Sequence, residues 1–379
     1  SWVAGTGNAS DSMCLTTTGL ATLAFLGAGN SHCHGPYRDN VSKALFWLRF
    51  HQRKPGCWTN PAAKQQMHAQ GIAALALSEA VLMAPDGPGA AANREAAQKA
   101  VDFIVKSQAP YSVWGYNPYP GGAGYHVENS VTIWNGMALK AAKTAGLKVD
   151  GKALMGIAKW LDDGQVGPRY SYSGQYDGKG KTLGDGGSGS ACMVASSMMM
   201  RFWTGTRPGE RQTKGSSDIV IGKLRALTAA NVGPMTAAPR RRPAVRQGGV
   251  VAGLITGGRR DGLYFMHHGS IAMFQMGGKY WEAWHPRVRR LVLHDQYADG
   301  HWTGFYNDAA ATALGALILE SYYRYSPLYH KPEPPPTVAA PVPVPVAPVP
   351  SPAPAGNDTP RPSRRRGKPL DLLRESTTR

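Results

Sequence analysis

Apolar and amphipathic segments alternate along the chain. Segment 17–29 is apolar almost all round and rich in small residues, which is typical of a helix buried on most faces. The next segment, 37–52, places Val41, Leu45 and Leu48 on one face and its charged side chains elsewhere. Together the two segments predict a helix pair in which the first helix is internal and the second covers it.

The same pair recurs along most of the chain. Further apolar segments lie at 67–84, 128–146, 187–205, 263–284 and 307–325. Further amphipathic segments lie at 93–108, 152–165, 216–230 and 286–296. Six inner helices surrounded by outer helices predict an all-α fold, the α/α toroid or α6/α6 barrel, because a closed ring leaves no end faces to cap. The outer segments number only five, so we expect the first outer helix to precede Ser1.

Aromatic residues mark the end of each repeat. Trp2, Trp58 and Trp114 stand 56 residues apart, and one further step reaches Tyr170. A glutamine precedes three of the tryptophans by six residues; these pairs are Gln52 with Trp58, Gln108 with Trp114, and Gln296 with Trp302. The position of the pairs at the ends of outer helices favours a structural role, in which the glutamine bonds unpaired backbone groups there.

Composition divides the chain into a folded part and a tail. Residues 1–330 carry the repeats, interrupted at about 233–262 by a Gly/Arg-rich insertion. Residues 331–379 hold 14 of the 29 prolines and a basic cluster, which predicts a disordered tail.

The positive charge is concentrated outside the repeats. The formal net charge is +18, and 206–262 alone has 11 Lys and Arg against 3 Asp and Glu. We expect 206–262 and 361–368 to meet an anionic membrane surface, and we expect no nucleic acid partner. No apolar run is long enough to span a bilayer, which leaves a soluble or peripheral membrane protein. The four cysteines form no Cys-x-x-Cys pair and are interpreted as free thiols or core residues.

The residues around the repeat ends resemble a known motif. Its first copy consists of Lys43, Ala44, Trp47, Leu48, Gln52, Gly56 and Trp58. Partial copies follow at 99–114, 160–172 and 287–302. They resemble the QW motif of squalene–hopene and oxidosqualene cyclases, toroid proteins that share their fold with protein prenyltransferase β subunits. The resemblance covers about 1–329 without the insertion.

This resemblance implies a terpene cyclase acting on a polyprenyl chain. In that family an Asp-x-Asp-Asp motif at the start of an inner helix protonates the substrate. Here the matching position is Glu128, with His126 and Asn129 as neighbours, so the motif is degraded. Glu128 would be the general acid, although a carboxylate at a helix start also suits the helix dipole without any catalysis.

A cyclase also needs aromatic walls, because ring faces stabilise carbocations. The candidates on predicted inner helices are Trp134, Phe202, Trp203, Phe265, Phe274 and Tyr322. The Asp-x-Cys pair with which prenyltransferases bind zinc does not occur, so we expect no metal and no cofactor.

Two alternatives to a cyclase stay open. The first is a non-catalytic toroid scaffold that binds lipid, glycan or protein partners. The second is a toroid that cleaves sugars, which would need two facing carboxylates; Glu128, Asp185 and Asp308 lie near the starts of inner helices.

Overall fold

The computed structural model describes residues 11–58, 66–110, 113–176, 181–183, 189–213, 215–232, 262–304 and 307–321. Six helices of this part form an inner set: α1 (Asp11–Gly27), α3 (Gln66–Met83), α5 (Asn129–Thr144), α7 (Ala191–Trp203), α9 (Gly262–Met276) and α11 (Asp308–Glu320). Five form an outer set: α2 (Arg38–His51), α4 (Ala90–Lys106), α6 (Gly151–Gly164), α8 (Ser216–Val232) and α10 (Gly278–His294).

The inner helices close a ring. Each contacts the next in the order α1, α3, α5, α7, α9, α11, and α11 returns to contact α1. Each outer helix packs on the inner helix that precedes it in the chain. The predicted α/α toroid of helix pairs is therefore confirmed. No helix in the described ranges is long and apolar enough to cross a lipid bilayer.

Small residues allow the inner helices to approach one another closely. A Cβ added at Gly19 of α1 would lie 2.8 Å from Ile72 of α3, and one added at Gly71 would lie 2.8 Å from the backbone nitrogen of Asn135 in α5. The inner helices are consequently buried on nearly all faces, whereas α4 buries one stripe of mostly small apolar residues. This contrast is the pattern of two helix types that the sequence shows.

The Trp and Gln residues of the repeats tie neighbouring segments together. The indole nitrogens of Trp58, Trp114 and Trp302 donate at 2.7–2.8 Å to carbonyls ten residues earlier, in the last turn of an outer helix. The side-chain amides of Gln52 and Gln108 donate to carbonyls of the next outer helix, at 2.9 and 3.0 Å. Gln296 bonds within its own turn, to the carbonyl of Gly300 at 2.9 Å. The tryptophan thus satisfies the outer helix end, and the first two glutamines link consecutive outer helices.

The apolar segment 263–284 is two helices rather than the single inner helix predicted. Helix α9 ends at Met276, because Gly277 and Gly278 adopt positive φ angles of 66° and 46° and reverse the chain. Helix α10 then packs back on α9, with the indole nitrogen of Trp284 donating to Ser270 Oγ at 3.0 Å. The apolar run is long because both partners of this hairpin contribute to it.

Short strands lie near the start of α5. β1 (Tyr125–Glu128) pairs antiparallel with β4 (Ser173–Tyr176), which pairs with β5 (Lys181–Leu183). β2 (Gln165–Val166) and β3 (Arg169–Tyr170) form a separate hairpin. Helix α5 accordingly starts one residue after Glu128, which ends β1. Trp2, Asp185, Tyr322, the tail and the insertion up to residue 261 lie outside the described residues.

Candidate functional site

The inner helices begin at the end of the ring that carries the long connections. Connections from an inner to an outer helix span 1 residue (277) to 12 residues (204–215). Connections from an outer helix to the next inner helix span 13 (295–307) to 29 residues (233–261). Since loops placed by a rigid scaffold commonly carry function, this end of the toroid is where a site is expected.

Pairing of β1 with β4 brings two of these connections together at the start of α5. The register sets Glu128 opposite Ser173, next to Tyr172. The backbone nitrogen of Asn129 donates to the carbonyl of Tyr172 at 2.8 Å, and that of Glu128 donates to Trp114 at 2.9 Å. Glu128 is half-buried, and its carboxylate does not cap α5.

Tyrosines surround this carboxylate. The hydroxyls of Tyr116 and Tyr172 are 3.0 Å apart, and the hydroxyl of Tyr264 on α9 donates to the carbonyl of Ser130 at 3.0 Å. Burial, followed by the hydrogen bond with Tyr116 and the charge of Glu128, raises the pKa of Tyr172. The three tyrosines and Glu128 are half-buried, and we call this group of side chains at the start of α5 the tyrosine mouth.

Trp134 lies below the mouth and is packed by rings from two other inner helices. It is 1% exposed, and its ring centroid is 5.8 Å from that of His267, with the two rings nearly parallel. His268 lies 5.3 Å away in an edge-on arrangement, and His68 of α3 lies 6.0 Å away. Side chains from α3, α5 and α9 thus meet inside the ring, within about two turns of the helix starts, and we call this cluster of His68, Trp134, His267 and His268 the floor of the mouth.

Two histidines of this floor, His68 and His268, are neutral at physiological pH. Burial lowers the pKa of His268 to about 3 and that of His68 to about 4. The neutral His268 ring donates from Nδ1 to the carbonyl of Tyr264 at 2.9 Å, because a carbonyl can only accept. The floor therefore adds polar groups but no charge to the mouth.

The three residues predicted as catalytic are placed differently from one another. Glu128 lies in the mouth. The buried side chain of Asn129 donates to Ser197 Oγ at 2.8 Å and so ties α5 to α7. His126 is exposed on β1, opposite Gln175.

The five predicted wall aromatics that the structure describes lie in different surroundings. Trp134 belongs to the floor, but Phe265 packs edge-on against Trp284 of α10 at 5.6 Å. Phe274 packs in the same way against Trp281 of α10 at 5.3 Å. Phe202 and Trp203 end α7, away from the helix starts that form the mouth.

The sequence did contain one signal for the mouth. Tyr116 and Tyr172 stand 56 residues apart, each two positions after the aromatic that ends a repeat. Equivalent repeat positions lie side by side in a ring, so their contact follows from the period. Tyr264, His68 and His268 carry no comparable signal, because their meeting depends on contacts across the ring.

Comparison with known proteins places the fold among solved toroids. No family model and no curated protein matches the chain. Among solved structures, it is similar to a novel α-amylase from Clostridium perfringens, with a TM-score of 0.50 and 12% identity over 82% of this chain and 86% of that one.

Two α-mannanases are also similar, at 10% identity and a TM-score of 0.48 each. One is an inactive variant of the α-1,6-mannanase GH76A of Salegentibacter sp. HEL1_6 in complex with α-1,6-mannotetrose, matched over 84% of this chain and 90% of that one. The other is a GH76 α-mannanase from Bacteroides thetaiotaomicron, matched over 82% and 84%. At these identities the likeness shows the fold alone.

These findings correct the terpene-cyclase interpretation. The similar toroids named above are carbohydrate-acting enzymes, so the resemblance to squalene–hopene cyclases and prenyltransferases is wrong. The physical reason is that the Gln–Trp pairs bond backbone carbonyls of the repeats. They therefore indicate the toroid fold and carry no information about its ligand. The side chains that pack around Trp134 inside the ring include imidazoles, whose polar nitrogens a polyprenyl chain cannot satisfy.

The expectation of an isoprenoid or lipid ligand is corrected together with the cyclase interpretation on which it rested. Of the segments assigned to a membrane surface, 361–368 and most of 206–262 lie outside the described residues.

Proposed function

We propose that this protein binds a carbohydrate chain at the tyrosine mouth. The observation that carries the proposal is the hydroxyl pair of Tyr116 and Tyr172, held 3.0 Å apart beside the carboxylate of Glu128. A phenol both donates and accepts hydrogen bonds, as a sugar hydroxyl does, and its ring offers an apolar face. Few polar groups converging among aromatic rings are the usual composition of a small-ligand site.

The floor supports a polar rather than a hydrocarbon ligand. Trp134 Nε1 and His268 Nε2 lie buried there without a hydrogen-bond partner among the described residues. A hydrocarbon chain could not satisfy such groups, so the floor does not suit an isoprenoid ligand. The similar toroids are named for activities on carbohydrates, but a fold alone does not transfer an activity, so the proposal rests on the mouth.

The function proposed is binding without cleavage. Glycosidases use two carboxyl groups roughly 5 to 9.5 Å apart. Within the described ranges Glu128 is the carboxylate next to the tyrosines, while Asp308 starts α11, on the opposite side of the inner ring, and is exposed. A carboxylate at such a site orients sugar hydroxyls by accepting their hydrogen bonds.

Calorimetric titration with a panel of neutral linear oligosaccharides tests the proposal. The panel contains α-1,6-mannotetraose, maltotetraose and cellotetraose, and product analysis of each mixture reports any cleavage. We expect one oligosaccharide class to bind and to be recovered intact. Tyr172→Phe should weaken that binding by about 2- to 10-fold, the worth of one hydrogen bond of about 0.5–1.5 kcal/mol.

Tyr119→Phe is the matched control. The hydroxyl of Tyr119 donates to the carbonyl of Gly122 in a loop beside the mouth, at 3.0 Å, so its loss should leave sugar affinity unchanged. Equal affinities for wild type and Tyr172→Phe, or binding by none of the panel, would contradict the proposal.

A further inference from the structure

A groove runs along the outer surface of the ring, between α4 and α6. Two cavities of about 580 and 690 Å³ adjoin there, since Val105 and Asp150 line both. The floor is aliphatic and includes Val105, Ala109, Leu147, Ala153 and Met155. Met155 is 71% exposed, so this floor is open to a partner.

Lysines surround the groove, which we call the lysine groove. They are Lys106, Lys143, Lys148, Lys152 and Lys159, against Asp102 and Asp150. Both aspartates already accept hydrogen bonds, Asp102 from Gln98 at 2.8 Å and Asp150 from the backbone nitrogen of Lys152 at 2.9 Å. The groove therefore has an excess of positive charge, and both of its carboxylates already accept hydrogen bonds from within the chain.

Four of these ammonium groups have no carboxylate partner in the part of the chain that the structure describes. Lys159 pairs with Asp163 at 3.1 Å, but Lys106, Lys143, Lys148 and Lys152 make no such contact. Lysines near the ends of α4 and α5 suit the helix dipole, which explains Lys106 and Lys143 locally.

Lys148 and Lys152 have no such local reason. Lys152 stands in the first turn of α6 and Lys148 just before its cap residue, Asp150, where the dipole disfavours a cation. Two exposed lysines without a carboxylate partner therefore lie at the helix end that favours a negative charge.

We propose that the lysine groove docks an acidic segment of a partner protein, which places an aliphatic side chain on the Met155 floor. Charge complementarity gives the acidic character. The lining residues include no aromatic ring, unlike the tyrosine mouth, so the groove is suited to a peptide rather than to a sugar. An exposed methionine adapts to varied apolar side chains, as peptide-binding surfaces require.

Fluorescence anisotropy with short labelled peptides tests this inference on the full chain. One peptide alternates Glu and Leu, a second replaces Leu with Ser, and a third replaces Glu with Lys. We expect only the Glu/Leu peptide to bind tightly, with affinity falling as salt rises. Equal binding by the Lys/Leu peptide, or no binding by any peptide, would overturn the proposal.

Matched charge reversals locate the binding. Lys148→Glu combined with Lys152→Glu should weaken the Glu/Leu peptide by about tenfold or more. Lys43→Glu combined with Lys54→Glu makes the same change in net charge at exposed positions on and after α2, and it should have little effect. Equal losses in both double variants would show a general charge effect and contradict the groove.

Two further measurements separate the chemistry of the occupant. Met155→Ser should weaken binding of the Glu/Leu peptide several-fold by removing apolar surface from the groove. Unchanged affinity would contradict the proposed apolar contact. Polygalacturonate, an anionic polysaccharide, should bind more weakly than the peptide. If the polysaccharide binds equally well, the occupant is an acidic glycan and the peptide assignment fails.

Discussion

The hairpin of α9 and α10 makes a sharp prediction about Gly269. A Cβ added at Gly269 of α9 would lie 2.3 Å from Cη2 and 2.6 Å from Cζ2 of Trp284 on α10. Attractive carbon contacts lie at about 3.5–4.0 Å, so the ring must move. Trp284 is fully buried and donates to Ser270, so it has little freedom to do so.

The magnitude follows from three opposing effects. Overpacking a core costs about 1–3 kcal/mol, and weakening the Trp284–Ser270 hydrogen bond costs about 1 kcal/mol more. Alanine gains about 1 kcal/mol over glycine in a helix. We expect Gly269→Ala to lower the free energy of unfolding by about 1–3 kcal/mol.

Gly222 provides the control with the opposite sign. It is an exposed residue within α8, and an added Cβ there meets no atom within 4 Å. Gly222→Ala should raise the free energy of unfolding by about 0.5–1 kcal/mol. Urea unfolding followed by circular dichroism measures both changes as shifts of the midpoint at constant slope. If Gly269→Ala is as stable as wild type, Trp284 does not pack on α9 and the hairpin is wrong.

Two further predictions concern the repeat ends and the floor. Trp114→Phe removes the hydrogen bond to the carbonyl of Ile104 and should lower the free energy of unfolding in urea by about 1–3 kcal/mol. Trp47→Phe, at a half-exposed position, should lower it by less than about 0.5 kcal/mol. Equal costs would refute the role of the indole nitrogen. The pKa of His268 is lowered to about 3 in the folded state. Below the ordinary value of 6.5, the unfolded state therefore binds more protons than the folded state. The free energy of unfolding should fall by roughly 1 kcal/mol per pH unit between about pH 6 and 4 because of this residue. His268→Gln should remove its share of this fall in unfolding free energy and leave the share of His68, whose pKa is lowered to about 4. His126→Gln, at an exposed position, should leave the fall unchanged. A fall that both variants leave unchanged would contradict the neutral floor.

The ring itself could be predicted because its signal is repeated. Alternating helix types and the 56-residue period give the same information several times over, and every copy folds by local packing. The helix boundary inside 263–284 could not be predicted, since a long apolar run has the same pattern whether it forms one buried helix or two helices that pack together. Only the positive φ angles of Gly277 and Gly278 distinguish them.

The candidate site was harder to predict than the fold. Glu128 was named from the sequence because it matches the acid position of the cyclase motif at the start of a predicted inner helix, but the side chains around it were not. Tyr264 and His268 reach α5 from α9, and no pattern along the chain encodes that contact. The family interpretation failed because Gln–Trp pairs belong to the scaffold, and scaffold residues do not specify the ligand.

A crystal structure with the best-binding oligosaccharide tests the central claim most directly. We predict a sugar ring within hydrogen-bond distance of the Tyr116 and Tyr172 hydroxyls and of the Glu128 carboxylate, with its glycosidic bonds intact. A sugar bound elsewhere on the toroid, with the tyrosine mouth left to water, would contradict the account.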